Sequence, residues 1–520
     1  MAKICLSLTA KTLGQNLELL DKYHQYADIA ELRVDCLEPN ERLMIRRFPE
    51  MTDMPVILTI RRNVDGGHFI SGEGARVNLM ARGLAYANAD RRRNFAYVEI
   101  EKDLIVPSLE EAARAFGTRI IRSYHDLKGY DTDLAAKIRS MRQSDDEIVK
   151  VVVAANSISD VLELLRAGRE YAGREKILIA RGHYGICSRI LAEQFGSFLS
   201  YAGVLSGPAS AAERAAGSIA SAANISHSPE PGQINVVDLA NLYRFRSIGN
   251  ATGIYGITGY PLKTAGSSYF VNTIFGLEDI DAVHVPFPAD SIGACLELAQ
   301  ELKVKGLSIT VPHKETVIPY LGSKAAEVQK IGACNILSMG PHGWMGTNTD
   351  TRGFSDSLLK FIGRPHLKRQ RVTVIGAGGS ARAVAFELHR LGAKALILNR
   401  LARKARDLAA PYKFAWGGLD SQGIEMMDRY RDIIIQTTPA GTEEHKVIDP
   451  VQMYRFSGRE KVMDLAYMPE MTVFLKRAAD AGCQVQNGYD MFVRQTQYQY
   501  TQFLGKEFPD HLVSRVQFYT

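Results

Sequence analysis

Eight short apolar segments alternate with helix-length segments through the first half of the chain. The candidate strands are Ile4–Leu8, Ile29–Val34, Val56–Ile60, Tyr97–Ile100, Arg119–Ser123, Ile148–Ala154, Ile177–Ala180 and Phe198–Tyr201. Eight strands that alternate with helices predict an α/β fold of the (β/α)8, or TIM, barrel type, in which chemistry takes place at the carboxyl ends of the strands. Five charged residues are predicted at or near such ends: Glu31, Arg33, Arg61, His125 and Lys150.

Lys150 interrupts the apolar run Ile148–Ala154. A strand that is buried on both faces is continuously apolar, so a lysine within it must find a partner or lose its proton. Burial favours the neutral amine and lowers its pKa. A neutral lysine in a pocket can attack a carbonyl group and form a Schiff base. The alternative interpretation is a lysine near a strand end whose stem is buried while its ammonium group reaches water.

Length and composition limit the remaining architecture and the classes of partner. A chain of 520 residues exceeds one ordinary core, so two or three domains are expected. An apolar share of 46% and a charged share of 23% are typical of a soluble globular protein. The net charge of +6 is spread over mixed acidic and basic residues, which gives no basic stripe from which to predict a nucleic-acid partner.

Other sequence patterns bear on the cellular compartment of the protein and on whether it binds a metal ion. No apolar run approaches the length of a membrane span, and the first residues resemble a β-strand rather than a signal peptide. The six cysteines are scattered without a C-x-x-C pair, which predicts reduced thiols and a cytoplasmic protein. Histidine and cysteine do not cluster at the spacing of metal ligands, so no metal site is predicted.

A strand, a glycine-rich turn and the start of a helix follow one another from Arg371 to Ala383. Gly376, Gly378 and Ala381 fit the pattern G-x-G-x-x-G/A, in which the first glycine permits a tight turn and the second lets a pyrophosphate approach the helix N–H groups. The flanking strand and helix are the context that this motif requires, and they predict a Rossmann domain. The predicted dinucleotide-binding residues of the turn are Gly376, Ala377, Gly378, Gly379, Ser380 and Ala381.

The next predicted strand, Ala395–Leu398, is followed by Asn399 and Arg400. A domain that binds NAD usually carries an acidic residue here to hold the ribose hydroxyls. A cation at this position suits a 2′-phosphate instead, and Lys404 and Arg403 lie nearby in the sequence. The pattern therefore favours NADP, with an ordinary surface arginine as the alternative interpretation of Arg400.

Two further ionisable residues follow predicted loops. Ser308-Ile-Thr-Val-Pro-His-Lys314 ends in Lys314, and Gly346-Thr-Asn-Thr-Asp350 ends in Asp350. A lysine and a carboxylate that meet in space can relay a proton to or from a hydroxyl group while hydride moves. The alternative is that both are solvated loop residues.

Changes in composition divide the chain. An Ala/Ser-rich segment at 207–228 precedes Pro-Glu-Pro-Gly-Gln233, and a new strand begins near 252. We predict a barrel at 1–240, a second α/β domain at 252–350 that is completed by helices in 488–520, and a dinucleotide-binding domain at 351–487. No internal repeat is evident.

The first half resembles type I 3-dehydroquinate dehydratase. The motifs that carry the resemblance are Glu31-Leu-Arg-Val-Asp35, Thr59-Ile-Arg61, Asp65-Gly-Gly67, Ser123-Tyr-His-Asp126, the Lys150 strand, Ser188-Arg189 and Pro231-Gly-Gln233. The resemblance implies that Lys150 forms a Schiff base with the 3-keto group of 3-dehydroquinate. It also implies that His125 moves the C2 proton. The residues implied to hold the substrate are Glu31, Arg33, Arg61, Arg189 and Gln233.

The second half resembles shikimate dehydrogenase. The motifs are Ile309-Thr-Val-Pro-His-Lys314, Gly332-Ala-Cys-Asn335, Asn348-Thr-Asp350, Gly376-Ala-Gly-Gly379, Asn399-Arg400, Tyr467-x-Pro469 and Gly488-Tyr-Asp-Met491 with Gln495. The resemblance implies that Lys314 and Asp350 form the proton-transfer pair. The residues implied to position the substrate are Ser267, Thr310, Asn335, Tyr467 and Gln495.

The chain also departs from both families. Asp65 stands where the dehydratases carry a glutamate near the catalytic histidine, and Pro229 replaces a residue with a hydroxyl group. The Ala/Ser-rich segment resembles an insertion. In the dehydrogenase half, Ala265 replaces the first serine of a substrate-binding motif, and Thr264 or Ser268 is a candidate to replace its hydroxyl group. The other departures are Ser268 for proline, Val271 for histidine and Thr351 for a small residue.

Together the two halves are similar to the fused dehydratase–dehydrogenases of the shikimate pathway of aromatic amino-acid biosynthesis. The implied function is dehydration of 3-dehydroquinate to 3-dehydroshikimate, followed by NADPH-dependent reduction to shikimate. Because of Ala265, two alternatives stay open: the C-terminal half acts on quinate, or it is a weakly active NADP-binding regulatory module. A third is an unrelated aldolase-like barrel fused to a generic dehydrogenase. The sequence predicts small-molecule substrates and leaves the oligomeric state undetermined.

Overall fold

The computed structural model describes residues 1–85, 88–129, 133–173, 175–204, 231–262, 266–442, 445 and 447–516. The chain forms two compact units, one of Met1–Val304 together with Val516 and one of Lys305–Arg515. Among the described residues, no helix is both long and apolar enough to cross a membrane. The Ala/Ser-rich segment at 207–228, Pro229, and Thr264 with Ala265 lie outside the described residues.

The first unit begins with a parallel barrel. Its strands are β1 Lys3–Leu8, β2 Ile29–Arg33, β3 Val56–Thr59, β4 Tyr97–Glu101, β5 Arg119–Asp126, β6 Ile148–Ala154, β7 Lys176–Arg181, β8 Leu199–Gly203 and β9 Ile234–Asn235. The strands pair in the order β7-β6-β5-β4-β3-β2-β1-β8-β9, and a parallel bridge between Lys176 and Ser197 brings β7 to the segment before β8. The predicted TIM-like barrel is therefore confirmed.

Helices lie between successive strands of the barrel. They are α1 Leu13–Tyr23, α2 Glu73–Leu84, α3 Pro107–Ala115, α4 Leu134–Met141, α5 Ile158–Glu170 and α6 Ile186–Ile190. Local sequence explains where they start: Thr12 caps α1, Pro107 occupies the first turn of α3, and Ser157 forms a capping box with Asp160 at α5. The Thr12 and Ser157 side chains accept hydrogen bonds from N–H groups that have no partner within the helix, and Pro107 has no N–H group that needs one.

Period-two alternation places both apolar and charged side chains inside the barrel. The apolar interior cluster includes Ile29, Ile121, Ile148 and Val152. Residues two positions along the same strands share that face, which is why Lys150, between Ile148 and Val152, lies inside. The expectation that Lys150 lies near a strand end is wrong, because it is the third of seven residues in β6.

The first unit extends beyond the barrel. β10 Gly253–Gly259 pairs in parallel with β11 Ala282–Pro288, and the helices α7 Gly266–Leu277 and α8 Ile292–Glu301 accompany them. Glu301 of α8 accepts hydrogen bonds at 2.6 Å from both Arg166 and Arg169 of the barrel helix α5. Tyr184 and Tyr260 stack with ring centroids 5.5 Å apart. These contacts place residues 253–304 with the barrel, whereas the proposed domain boundaries remain predictions from sequence.

The second unit contains an antiparallel region and a doubly wound sheet. β12 Gly306–Ile309 pairs with β14 Ile336–Gly340, which pairs with β15 Gly343–Thr347, and β13 Ser323–Lys324 follows at the edge. The accompanying helices are α9 His313–Thr316, α10 Ala326–Ile331, α11 Asp350–Ile362 and α16 Tyr489–Leu504. Lys360 of α11 bonds Asp490 of α16 at 2.7 Å, so the C-terminal helix packs on this region.

The doubly wound sheet is entirely parallel. Its strands are β16 Arg371–Ile375, β17 Lys394–Asn399, β18 Ala415–Gly418, β19 Ile433–Gln436, β20 Lys461–Asp464 and β21 Gln484–Gln486, in the order β18-β17-β16-β19-β20-β21. Its helices are α12 Gly379–Arg390, α13 Ala402–Ala409, α14 Ser421–Met427 and α15 Val473–Asp480. Two apolar clusters bury the strands, so these residues form the predicted Rossmann-like domain.

Candidate active sites

A pocket inside the barrel gathers the residues that the sequence predicted for the first half. Seven predicted residues line it: Glu31, Arg33, Arg61, His125, Lys150, Arg189 and Gln233. Sequence reasoning did not assign a role to three further polar residues of the lining, Ser7, Arg181 and Tyr201. The parallel strands bring these residues together from distant parts of the chain.

Lys150 is buried, with 1% of its surface exposed. Its Nζ donates to Glu99 Oε2 at 2.8 Å and lies 3.1 Å from the Tyr201 hydroxyl group. Burial lowers the pKa of Lys150, and Arg61 lowers it further, although Glu99 acts in the opposite direction. The alternative of an ammonium group that reaches water is therefore wrong.

Glu99 joins the lysine to the histidine and was missed by the sequence reasoning. Its Oε1 lies 2.9 Å from His125 Nε2, while its Oε2 binds Lys150. Burial alone would raise the pKa of Glu99, but Lys150 and Arg61 hold it well below its usual range. A detectable signal was present in the sequence, because Glu99 interrupts the apolar strand β4 as Lys150 interrupts β6.

His125 is positioned and tuned by this carboxylate. An ionised carboxylate can only accept a hydrogen bond, so Nε2 carries the proton and Nδ1 is the basic nitrogen. Burial lowers the pKa of His125 to about 4, with Arg61 acting in the same direction and Glu99 opposing both. The imidazole is therefore neutral, and able to accept a proton, at pH values well below the ordinary histidine range.

The arginines of the pocket are held by carboxylates. Arg33 makes a two-point contact with Asp35 at 2.9 and 2.8 Å, and Arg61 Nη2 lies 3.2 Å from both Glu31 and Glu99. Paired guanidinium groups keep a fixed orientation and can still present N–H donors to a substrate carboxylate.

Asp65 behaves differently from the family-based expectation. It lines the pocket, but its carboxylate binds Arg62 at 2.5 Å. The carboxylate on His125 belongs to Glu99 on another strand. The shorter side chain at position 65 therefore does not leave the histidine without an acidic partner.

A second cluster lies within Lys305–Arg515. Lys314 Nζ donates to Asp350 Oδ2 at 2.5 Å, and Asn335 Nδ2 donates to Asp350 Oδ1 at 2.9 Å. Gln495 Oε1 accepts from the same amide at 3.3 Å. Four predicted residues from four segments therefore meet. Asp350 is the first residue of α11, and Asn335, which also contacts Gln495, reaches it from another segment.

The glycine-rich turn lies beside this cluster. Lys314 Nζ is 3.4 Å from the Ser380 hydroxyl group, and a Cβ atom at Gly379 would come within 3.1 Å of the Lys314 side chain. Gly376 has φ of +115°, and a Cβ there would lie 2.3 Å from Thr437 Oγ1, so only glycine fits. The space around the Cβ position of Gly378 is open, which lets a ligand approach the backbone.

The cations predicted to bind the phosphorylated ribose follow the end of β17. Asn399 Nδ2 donates to the Leu401 carbonyl group at 3.1 Å and shapes the turn. Arg400, Arg403 and Lys404 are exposed, near or within the first turn of α13. The open glycine turn and these cations fit a dinucleotide with an additional phosphate.

The remaining predicted substrate residues occupy separate positions. Tyr467 stacks on Phe492 with ring centroids 4.8 Å apart, and Thr310 follows β12 in the second unit. Ser267 is buried in α7 of the first unit. Ser268 is also buried, and its hydroxyl group bonds His284 Nδ1 at 2.9 Å, so this hydroxyl group is engaged within the unit.

Family models match three consecutive regions. Residues 4–250 match the type I 3-dehydroquinase model, residues 257–337 match the shikimate dehydrogenase substrate binding domain, and residues 358–467 match shikimate / quinate 5-dehydrogenase. The matches follow one another in the order that the motifs predicted.

Curated relatives agree with these matches. The bifunctional 3-dehydroquinate dehydratase/shikimate dehydrogenase of Arabidopsis thaliana is 27% identical over 532 residues, which cover 98% of this chain and 83% of the relative. The NADP(+) shikimate dehydrogenase of Caldanaerobacter subterraneus is 33% identical over 51% of this chain and 96% of its own. That of Maridesulfovibrio salexigens is 32% identical, over 48% and 91%. The chain therefore belongs to the shikimate dehydrogenase family, and it joins to that dehydrogenase a type I 3-dehydroquinase domain.

Proposed function

We propose that this bifunctional enzyme dehydrates 3-dehydroquinate to 3-dehydroshikimate in the barrel and reduces that product to shikimate with NADPH in the dehydrogenase half. The observation that carries the proposal is a pair of lysine–carboxylate clusters, of which the first is buried and the second partly buried. One contains Lys150, Glu99 and His125, and the other contains Lys314 and Asp350.

In the barrel, Lys150 in its neutral form attacks the 3-keto carbon, the ketone oxygen leaves as water after it is protonated, and an iminium ion remains. The iminium ion withdraws electrons and makes the C2 proton acidic. His125 removes this proton and returns it to the departing C1 hydroxyl group. Arg189, Gln233 and the paired arginines hold the substrate carboxylate and hydroxyl groups, because a guanidinium group donates two parallel hydrogen bonds to a carboxylate.

In the second unit, Lys314 and Asp350 move the proton of the reacting hydroxyl group. Asn335 donates to the carboxylate of Asp350 and, together with Gln495, Tyr467 and Thr310, binds substrate. Ser267 belongs to the first unit, and its role stays a prediction from sequence. NADPH bound at the glycine-rich turn supplies hydride. Gly376, Ala377, Gly378, Gly379, Ser380 and Ala381 would hold its pyrophosphate, and Asn399, Arg400 and Lys404 its phosphorylated ribose.

One coupled assay tests the proposal. The full chain is given 3-dehydroquinate and NADPH, and both the enone absorbance and NADPH oxidation are followed. Dehydration without NADPH oxidation would favour the regulatory-module alternative. Oxidation of quinate in preference to shikimate, measured with NADP(+), would favour a quinate enzyme.

The pH dependence of dehydration is expected to reflect the buried histidine. The acid limb of kcat/KM should fall near pH 4, well below 6.5, the ordinary pKa of histidine, because His125 can accept a proton only while it is neutral.

His125→Ala should lower the rate by about 10²–10⁴-fold, the usual contribution of a general acid–base group. Initial rates from pH 3.5 to 8 measure both effects. The exposed His68, replaced by alanine, is the matched control, and an unchanged rate in His125→Ala would exclude His125 from the mechanism.

Cofactor preference is expected to depend on Arg400. Arg400→Asp replaces a cation with an anion where the 2′-phosphate binds, and a charged hydrogen bond contributes about 1.5–3 kcal/mol. The preference for NADPH over NADH should therefore fall by about tens- to hundreds-fold. The ratio of kcat/KM for the two cofactors measures this. Arg406→Asp, at an exposed position in α13, is the control. Equal use of both cofactors by the unmodified protein would contradict the assignment.

The cellular location is also a proposal. All six cysteines, each within the described residues, are free, and five are buried. Free thiols favour a reducing compartment, which supports a cytoplasmic location.

A further inference from the structure

Tyr201 places a phenol beside the reacting nitrogen of the barrel. It is the third residue of β8 and lies opposite Cys5 of β1, with 5% of its surface exposed. Its hydroxyl group is 3.1 Å from Lys150 Nζ, and the same nitrogen is 4.2 Å from the centre of the ring. Glu99 contacts Nζ as well, at 2.8 Å. The lysine nitrogen therefore has two hydrogen-bond partners of different chemistry, while the Glu31 carboxylate lies farther away, at 4.0 Å.

These partners differ in what they can do with a proton. Burial raises the pKa of Tyr201 well above its ordinary value, and Glu31 and Glu99 add to that shift, so the phenol keeps its proton. Lys150 and Arg61 keep Glu99 ionised despite its burial. A phenol both donates and accepts a hydrogen bond, whereas an ionised carboxylate only accepts. Tyr201 is thus the partner of Nζ that can deliver a proton.

Schiff-base formation requires that a proton be delivered to the oxygen of the ketone. When the neutral amine attacks a ketone, the C–N bond forms, the carbonyl π bond breaks, and the nitrogen carries an excess proton while the oxygen becomes an alkoxide. The two atoms are separated by one carbon. Direct transfer between them passes through a strained four-membered ring. A hydroxyl group that accepts from nitrogen and donates to oxygen enlarges that ring to six members.

We propose that Tyr201 is a further catalytic residue of the barrel, which relays this proton between the lysine nitrogen and the substrate oxygen. Its oxygen accepts one proton from Nζ, and its own proton passes to the alkoxide. The product is a neutral carbinolamine, and the phenol is unchanged. The reverse transfer serves hydrolysis of the product imine. The proposal rests on the Schiff-base function proposed for Lys150.

The test is the rate at which the covalent intermediate forms. The full chain is mixed with 3-dehydroquinate, quenched with borohydride at short intervals, and the Lys150 adduct is measured by mass spectrometry. Tyr201→Phe removes only the hydroxyl group and should slow adduct formation by about 10²-fold, the lower end of the range for proton-transfer groups. Tyr97→Phe is the matched control, since Tyr97 is a buried barrel tyrosine outside the pocket lining, and its rate should be unchanged.

The outcomes separate the relay from the function on which it rests. Absence of any Lys150 adduct in the unmodified protein would overturn both. An adduct that forms at the unmodified rate in a folded Tyr201→Phe variant would overturn the relay alone. If that variant does not fold, 3-fluorotyrosine at position 201 keeps the ring and hydroxyl group but makes the phenol more acidic. It should change the rate of adduct formation, and an unchanged rate would overturn the relay.

Discussion

Lys150→Met is expected to abolish dehydration of 3-dehydroquinate while reduction of added 3-dehydroshikimate continues. Methionine retains an unbranched stem of similar volume but has no amine to attack the 3-keto carbon. Glu99 also loses the lysine that donates to its buried carboxylate at 2.8 Å. Burial without this partner raises the pKa of Glu99. The enone absorbance measures the loss, and NADPH oxidation measures the retained activity.

Lys176→Met is the control for removal of a buried lysine. Lys176 lies on the neighbouring strand β7, is 6% exposed, and donates to the Tyr171 carbonyl group at 3.0 Å. It does not line the described pocket, so dehydration should persist in this variant. Borohydride trapping in the unmodified protein should give one adduct, on Lys150. An adduct on another lysine would refute the assignment.

Asp350→Asn is expected to have the second large effect, on reduction alone. The substitution keeps the shape of the side chain but removes the carboxylate that binds Lys314 at 2.5 Å and accepts from Asn335. Loss of a proton-transfer group should lower kcat for reduction of 3-dehydroshikimate by about 10²–10⁴-fold. NADPH oxidation measures this loss. Dehydration, which uses residues of the barrel, should be unchanged.

The matched control is Asp356→Asn. Asp356 lies six residues further along the same helix, and its carboxylate binds the Tyr498 hydroxyl group at 2.5 Å, away from the Lys314 cluster. If both variants lost activity equally, the effect would reflect the stability of α11 rather than proton transfer. A kcat near that of the unmodified protein in Asp350→Asn would remove this carboxylate from the reaction.

Local patterns in the sequence were sufficient to predict the barrel strands and most of the charged residues that line the barrel pocket. The eight predicted barrel strands are present, because apolar runs of strand length between helical segments leave little freedom in assignment. β5 extends to Asp126, which places His125 within the strand rather than after it. The glycine-rich turn was predictable because Gly376 adopts a backbone conformation that disfavours any side chain.

Relations between distant segments were not predictable in the same way. Glu99 is 26 residues from His125 and 51 from Lys150, and only the pairing of β4 with β5 and of β5 with β6 brings the three together. The family pattern directed attention to Asp65, which binds Arg62 instead. Contacts such as that of Tyr184 with Tyr260 extend the first compact unit to Val304, and no compositional change marks that residue.

The sequence by itself determined the fold class, the lysine within an apolar strand and the nucleotide motif, because each is expressed in residues that are adjacent or periodic along the chain. Only the tertiary structure decided which side chains form hydrogen bonds with one another. Lys150 is bound by Glu99 and Tyr201, and Asp350 by Lys314 and Asn335. The physical reason is that burial and charge pairing depend on distances of about 3 Å between residues far apart in sequence, where the low dielectric of the interior makes each neighbour decisive for the pKa.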